Sequence, residues 1–215
     1  TNLKFKTMKK VSILAVLALA AFVTFSFTFG GEKYETLKIG KTAPMQDYMM
    51  NTPEGDAYSL ESLAKEKGTL IIFSCNTCPF VVAWEDRYPE IAEMAEGLNI
   101  GFALVNSNTL KREDEDSPEA MMDHAEENGY SEIPYLIDQN SQLANAFGAK
   151  TTPHVFLFDA EMKLVYEGAI DDNFKEAEAV KATYLKDALN NLAEGKKINP
   201  QTTKAIGCSI KRPKE

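Results

Sequence analysis

Two cysteines two residues apart, in Cys75-Asn76-Thr77-Cys78-Pro79, stand directly behind the apolar run Thr69-Leu70-Ile71-Ile72-Phe73-Ser74. A short continuous apolar run suits a strand buried on both faces. A proline just past the second cysteine suits the first turn of a helix. The chain is therefore expected to pass through strand, turn and helix here, with two thiols on the turn. Thiols at that spacing reach each other across one turn and close a small, reversible disulfide. At a positive helix end the first sulfur is expected to be exposed and to favour its thiolate. An acidic thiol with a neighbour able to resolve a mixed disulfide is what thiol–disulfide exchange requires.

The first thirty residues belong to a different pattern. Lys4, Lys6, Lys9 and Lys10 precede a nearly unbroken apolar stretch from Val11 to Phe29, and the first acidic residue is Glu32. A basic n-region followed by an apolar core describes a secretory signal. Met8-Lys9-Lys10 is the compact n-region expected at a true start, and cleavage is expected between Ser26 and Gly31. The alternative is an uncleaved anchor, because Val11–Phe29 approaches the roughly 20 residues that span a bilayer. Ser12, Thr24, Ser26 and Thr28 dilute the run and favour cleavage. Either way residues 31–215 are expected outside the cytoplasm, periplasmic or secreted, as one domain with a tail from about residue 195.

Export changes how the cysteines read. Beyond the leader stand only Cys75, Cys78 and Cys208, so two structural bridges are impossible and a packed core must hold the domain. About 185 residues suffice for one such core and are thin for two. The chain carries a net charge of −9, which becomes −13 once the four leader lysines leave. Such a surface argues against nucleic acid and against anionic membranes as partners.

Strands and helices alternate along the rest. Tyr48–Met50 reads as a strand or hairpin with its turn at Pro53-Glu54-Gly55-Asp56, and Ser59-Leu60-Glu61-Ser62-Leu63 as a capped helical turn. Leu70–Phe73 and Ile100–Val105 are buried strands. Between them a helix is expected from about Pro79 to Glu96, interrupted at Pro89. Ser117-Pro118 caps and opens a helix that closes at Gly129. Tyr135–Asp138, a short helix at Gln142–Phe147 and a hairpin of Val155–Phe158 with Leu164–Tyr166 follow. The last helix is Ala177–Leu192, with Val180, Tyr184, Leu185, Ala188 and Leu192 on one stripe. From Gly195 the chain reads as basic and irregular. The acidic tract Glu113-Asp114-Glu115-Asp116 reads as a solvated loop.

This order, with Thr152-Pro153 before a hairpin and a last helix, resembles the thioredoxin fold: an α/β architecture with a central mixed β-sheet flanked by helices and an N-terminal β-hairpin extension. Gly40-Lys41-Thr42-Ala43-Pro44 followed by Gly55 and Ser59-Leu60 resembles the entry segment of its redoxin branch. That branch contains extracytoplasmic thiol–disulfide oxidoreductases and the alkyl hydroperoxide reductase/thiol-specific antioxidant group. The tail Ile206-Gly207-Cys208-Ser209-Ile210-Lys211 resembles the end of a bacterial thioredoxin-like subgroup. The resemblance spans roughly residues 38–211. It implies Cys75 as the attacking thiolate, Cys78 as the buried resolving thiol, Pro153 as a cis-proline, and Thr152 offering backbone hydrogen bonds to a client chain. Partners are then protein thiols and disulfides, with no cofactor beyond the Cys75–Cys78 disulfide, and the upstream electron donor is unnamed.

Departures from the branch bear on mechanism. Ser74 stands where many relatives carry tryptophan, and Thr69 where thioredoxin has a buried acid. The proton acceptor for Cys78 is thus unassigned, and the nearest later acids, Glu85 and Asp86, are expected to face water. His154, after the proline, either lies near Cys75 or points along its strand. His124, on a polar helix, reads as a surface residue. Cys208 is either a small apolar filler or a third redox thiol on a tail that folds back to the site. Two alternative functions stand beside exchange. A thiol peroxidase would need proline at position 68 and threonine at 72, where the chain has Gly68 and Ile72. A copper- or zinc-binding module could use Cys75, Cys78 and a histidine.

Overall fold

A computed structural model describes residues 34–213, so the expected leader lies outside the described residues. Among these, no helix is long and apolar enough to cross a membrane.

The chain opens with a small hairpin, β1 (Met50–Asn51) and β2 (Ala57–Tyr58), closed at the predicted Pro53–Asp56 turn. A single helical turn, α1 (Leu60–Leu63), follows behind a capping box in which Ser59 and Ser62 each accept the other's backbone N–H. Next comes β3 (Gly68–Ser74), every residue of it buried. Two short helices, α2 (Pro79–Val82) and α3 (Tyr88–Gly97), carry the chain to β4 (Ile100–Asn106), which runs parallel to β3. Beyond α4 (Pro118–Glu127) lies β5 (Tyr135–Ile137), parallel to β4 and antiparallel to β1. After α5 (Gln142–Phe147) and the two-residue β6 (Thr151–Thr152), β7 (His154–Asp159) pairs antiparallel with β3 and turns into β8 (Leu164–Gly168). Helix α6 (Tyr184–Ala193) and a two-residue β9 (Cys208–Ser209) complete the order.

The seven-stranded sheet runs β2-β1-β5-β4-β3-β7-β8. Alternation along β3 divides the core, because successive strand residues point to opposite faces. Leu70 and Ile72 join Trp84, Tyr88, Ile91, Leu185 and Leu189 from α3, α6 and the turn before them. Ile71 and Phe73 join Leu60, Leu143, Phe147, Phe156 and Phe158 on the other face. There the Phe73 ring meets Phe147 edge-on at 5.7 Å and Phe156 at 5.6 Å. Each such side chain taken from water contributes roughly 1.5–3 kcal/mol. Helices thus cover both faces of a mixed sheet, which is the thioredoxin-like fold with its added N-terminal hairpin.

Three expectations change. The helix from Pro79 breaks earlier than Pro89: α2 stops at Val82, a 3-10 turn covers Glu85–Arg87, and Pro89 sits in the first turn of α3. Proline clashes with the carbonyl four residues before it, so a helix that contains it must start afresh. The last helix likewise begins at Tyr184. Asp172 accepts the Lys181 N–H and donates its own N–H to the Ala182 carbonyl, holding that stretch extended. Val180 therefore leaves the helical stripe. The tail is irregular outside β9 but closely packed: Ile198 and Ile210 are buried, Thr203 bonds the Tyr166 hydroxyl at 2.7 Å, and β9 pairs with β6.

Candidate active site

Sheet register brings the four expected site residues together. Strand β3 ends at Ser74 and delivers Cys75, while Phe73 lies opposite His154 on β7. Pro153, one residue before His154, therefore arrives beside the cysteine turn. The Thr152–Pro153 peptide is cis, as expected. Thr152 contacts both sulfurs: Cys75 Sγ lies 3.1 Å from its Oγ1, and Cys78 Sγ lies 3.2 Å from its carbonyl oxygen.

Exposure and acidity depart from the sequence reading. Cys75 is only 2% exposed and Cys78 4%. Helix α2 begins at Pro79, so Cys78 rather than Cys75 occupies its N-cap. Of the pair, Cys78 is the thiol that ionises first. Its sulfur takes a hydrogen bond from the Cys75 thiol and, against the cost of burial, others from the Cys208 thiol and from the amides of Val81 and Cys208. When protonated it can donate to the Thr152 carbonyl instead. Cys75 is held well above the usual thiol range. The proton it gives to Cys78 and its burial outweigh the Thr152 hydroxyl, and the charges of Asp116 and Cys78 add to the effect.

A buried polar floor supports the turn. Asp116 is fully buried, and its carboxyl accepts from the Asn76 backbone N–H at 2.9 Å, Asn106 Nδ2 at 2.8 Å and Asn108 Nδ2 at 2.9 Å. Tyr135 donates its hydroxyl proton to Asn76 Oδ1 at 3.1 Å. Arg112 closes the far side, donating to the carbonyls of Asp116 and Asn106. The acidic tract is therefore not wholly solvated, since its last residue turns inward beneath the cysteines. The readable signal was Asn106-Ser107-Asn108, three polar residues at the end of a buried strand.

The AhpC/TSA family profile matches residues 39–167. The chain belongs to the AhpC/TSA family. It resembles the solved structure of an uncharacterized conserved protein from Geobacillus kaustophilus at 33% identity and a TM-score of 0.76, covering 84% of this chain and 95% of that one. A hypothetical protein from Sinorhizobium meliloti gives the same TM-score of 0.76 at 28% identity, covering 84% and 98%. A secreted Mycobacterium tuberculosis disulfide oxidoreductase homologous to E. coli DsbE shares the fold at 14% identity and a TM-score of 0.50, covering 69% and 95%. No curated protein matches the chain.

Other residues of this AhpC/TSA chain fall into place around the pair. His154 is buried, accepting the Lys150 N–H at Nδ1 and meeting Glu167 of the neighbouring β8 through Nε2 at 3.0 Å. Glu85 is buried rather than solvated, and it meets His124 Nε2 at 2.7 Å, so His124 is half-buried and partnered rather than a free surface residue. Asp86 remains largely exposed. Thr69 is buried with its hydroxyl on Met162 Sδ, and Ser74 meets the Tyr88 hydroxyl at 3.0 Å. Neither supplies a carboxyl to Cys78. Cys208 packs against the cluster that contains Cys75 and Cys78. Among the described residues, no three His, Cys, Asp or Glu side chains are grouped to hold a metal ion.

Proposed function

We propose that this protein is an extracytoplasmic thiol–disulfide oxidoreductase that exchanges disulfides with protein clients through Cys75 and Cys78. The observation that carries the reading is the convergence of both sulfurs on Thr152 at the cis-proline. In the oxidised protein a client thiolate attacks Cys75, and Cys78 leaves. The Val81 amide aimed at Cys78 stabilises that leaving thiolate, and a more acidic thiol leaves faster. In the reverse step the Cys78 thiolate attacks Cys75 in the mixed disulfide and releases the client. Half-buried Phe80 and Phe174, stacked edge-on at 4.9 Å, flank the pair with exposed Val82, an apolar rim suited to unfolded chain.

The basic n-region and apolar core ahead of residue 31 support export. The DsbE-homologous neighbour is described as secreted, which agrees with that reading. The test is a Cys78→Ser variant, which should accumulate mixed disulfides at Cys75 with client proteins, beside insulin reduction by the unaltered chain. Absence of both, with rapid peroxide consumption instead, would move the function to the peroxidase side of the family.

A further inference from the structure

Exchange between Cys75 and Cys78 makes no use of the tail, yet the tail is built into the site. Strand β9 pairs antiparallel with β6, Cys208 opposite Thr152 and Ser209 opposite Thr151. Gly207 crosses so closely that a Cβ there would lie 2.2 Å from the Thr152 carbonyl oxygen. Beyond the strand the chain is fastened residue by residue. Ile210 donates its N–H to the Lys150 carbonyl, Lys211 donates its N–H to Asn108 Oδ1 at 2.8 Å, and Arg212 Nε donates to Asn145 Oδ1 at 2.7 Å. Cys208 is thus held, not trailing. Two thiols contact Thr152, Cys75 at its hydroxyl and Cys78 at its carbonyl, and Cys208 stands opposite it across the strand pair. Of the two site sulfurs it is Cys78 whose acidity responds to Cys208, the thiol and the backbone amide of the latter both lowering its pKa.

The geometry points to Cys208 as a built-in exchange partner, whose sulfur displaces Cys75 from Cys78 and carries the disulfide onto the tail. The step begins from the Cys75–Cys78 disulfide, and in this it rests on the function proposed above. The Cys208 thiolate attacks Cys78 Sγ, the Cys75–Cys78 bond breaks as the Cys78–Cys208 bond forms, and Cys75 leaves with the electron pair. Cys75 takes up the proton that Cys208 released. The protein stays oxidised by two electrons, so no outside oxidant enters.

Charge favours the attacking thiol when there is a disulfide to attack, and Cys75, the less acidic leaving thiol, is stabilised by taking up the proton. In the reduced protein, burial, the hydrogen bond to Cys78 and the Cys78 charge together push the Cys208 thiol up to about 11, against Lys211 and the Phe80 amide. With Cys78 in a disulfide its charge is gone, while Lys211 and the amide remain. The docked strand also fills the Thr152 backbone edge that a client strand would use. A client and the tail then occupy that edge by turns.

The test uses full-length chains equilibrated with oxidised dithiothreitol, alkylated and mapped by mass. Cys75→Ser should lose two hydrogens as a monomer, with the bond mapped to Cys78–Cys208, and Cys75→Ser/Cys208→Ser should lose none. In the oxidised unaltered chain a fraction should carry the alkyl group on Cys75. The proposal is overturned if Cys75→Ser keeps two alkylatable thiols in a buffer that oxidises Cys75–Cys78 in the Cys208→Ser variant. That variant separates the two readings. Its own failure to form the Cys75–Cys78 bond would count against pair exchange, while a Cys78–Cys208 bond in Cys75→Ser would still stand for the tail.

Discussion

Asp116 offers the sharpest test of how the cysteine turn is held. Its carboxyl serves three buried donors, and only one of them, Asn106 Nδ2, has a second acceptor, the Tyr135 hydroxyl at 3.2 Å. Asp116→Ala therefore leaves the Asn76 amide and Asn108 Nδ2 unpaired in a buried site. Each orphaned donor costs about 1–3 kcal/mol, so the pair costs roughly 2–6 kcal/mol. That is a large share of a total stability of about 5–15 kcal/mol. With a urea dependence of about 2 kcal/mol per molar, the unfolding midpoint should fall by about 1–3 M. Asp116→Asn keeps the shape and one acceptor but turns an NH2 toward neighbouring donors, so its midpoint should lie between the other two. The same variant removes a negative charge that holds the Cys75 thiol up, so its Cys75 alkylation profile should move to lower pH. An Asp116→Ala midpoint within about 0.5 M of the unaltered protein would refute the reasoning, because no buried donor could then have lost its partner.

Further outcomes follow from the same geometry. Thr152→Val removes the hydroxyl that lowers Cys75, so the pH profile of Cys75 alkylation should shift upward while the carbonyl contact to Cys78 survives. Gly207→Val should drive β9 off β6, since its side chain would strike the Thr152 carbonyl; iodoacetamide should then reach Cys75 and Cys78 faster than in the unaltered chain. Asp171→Ala strips a buried guanidinium, Arg87 Nε at 2.9 Å, and the Trp84 indole N–H at 2.8 Å of their acceptor, and should cost about 3–5 kcal/mol in urea unfolding. The His124 imidazole is raised above its ordinary 6.5, first by the hydrogen bond to Glu85 and against its burial. A raised folded value means this contribution is complete below pH 6.5 and fades as pH climbs through the folded value. The stability gap between the unaltered chain and His124→Gln should therefore be wider at pH 5.5 than at pH 8.5, and a gap independent of pH would refute the pairing.

How far the sequence could be read depended on the range of the interaction involved. Strand β3, the cysteine turn and the Ser59 and Ser117 caps were legible because each is fixed by neighbours within a few residues. Asp116 was not: four consecutive acids read as a solvated loop, and only the polar residues at the end of β4, ten residues before it, and Asn76, forty residues before it, require one of them to turn inward. The tail was equally silent, since a two-residue strand has no periodicity to detect and its partner β6 is itself two residues long. The turn that follows Val82 is tied down by Arg87, which donates to the Ala83 carbonyl and reaches across to Asp171, a pairing no local pattern announces.

The start of α2 bears directly on which sulfur carries charge. The sequence reading put that start at about Pro79, as observed, but expected the positive helix end to favour the Cys75 thiolate. With Cys78 at the N-cap, the Val81 amide serves Cys78 instead. Cys75 is left on the strand side, with one hydroxyl in its favour and a carboxyl beneath it. Attack on Cys75 and departure of Cys78 is then the direction in which negative charge moves toward its donors. While the tail is docked, Cys208 adds its own amide to the same sulfur, so part of what favours the Cys78 thiolate in the reduced protein depends on the tail. Gly207→Val should accordingly raise the pH at which Cys78 is alkylated even as it exposes the site, and a Cys78 profile unmoved by that substitution would mean the donors lie wholly within α2.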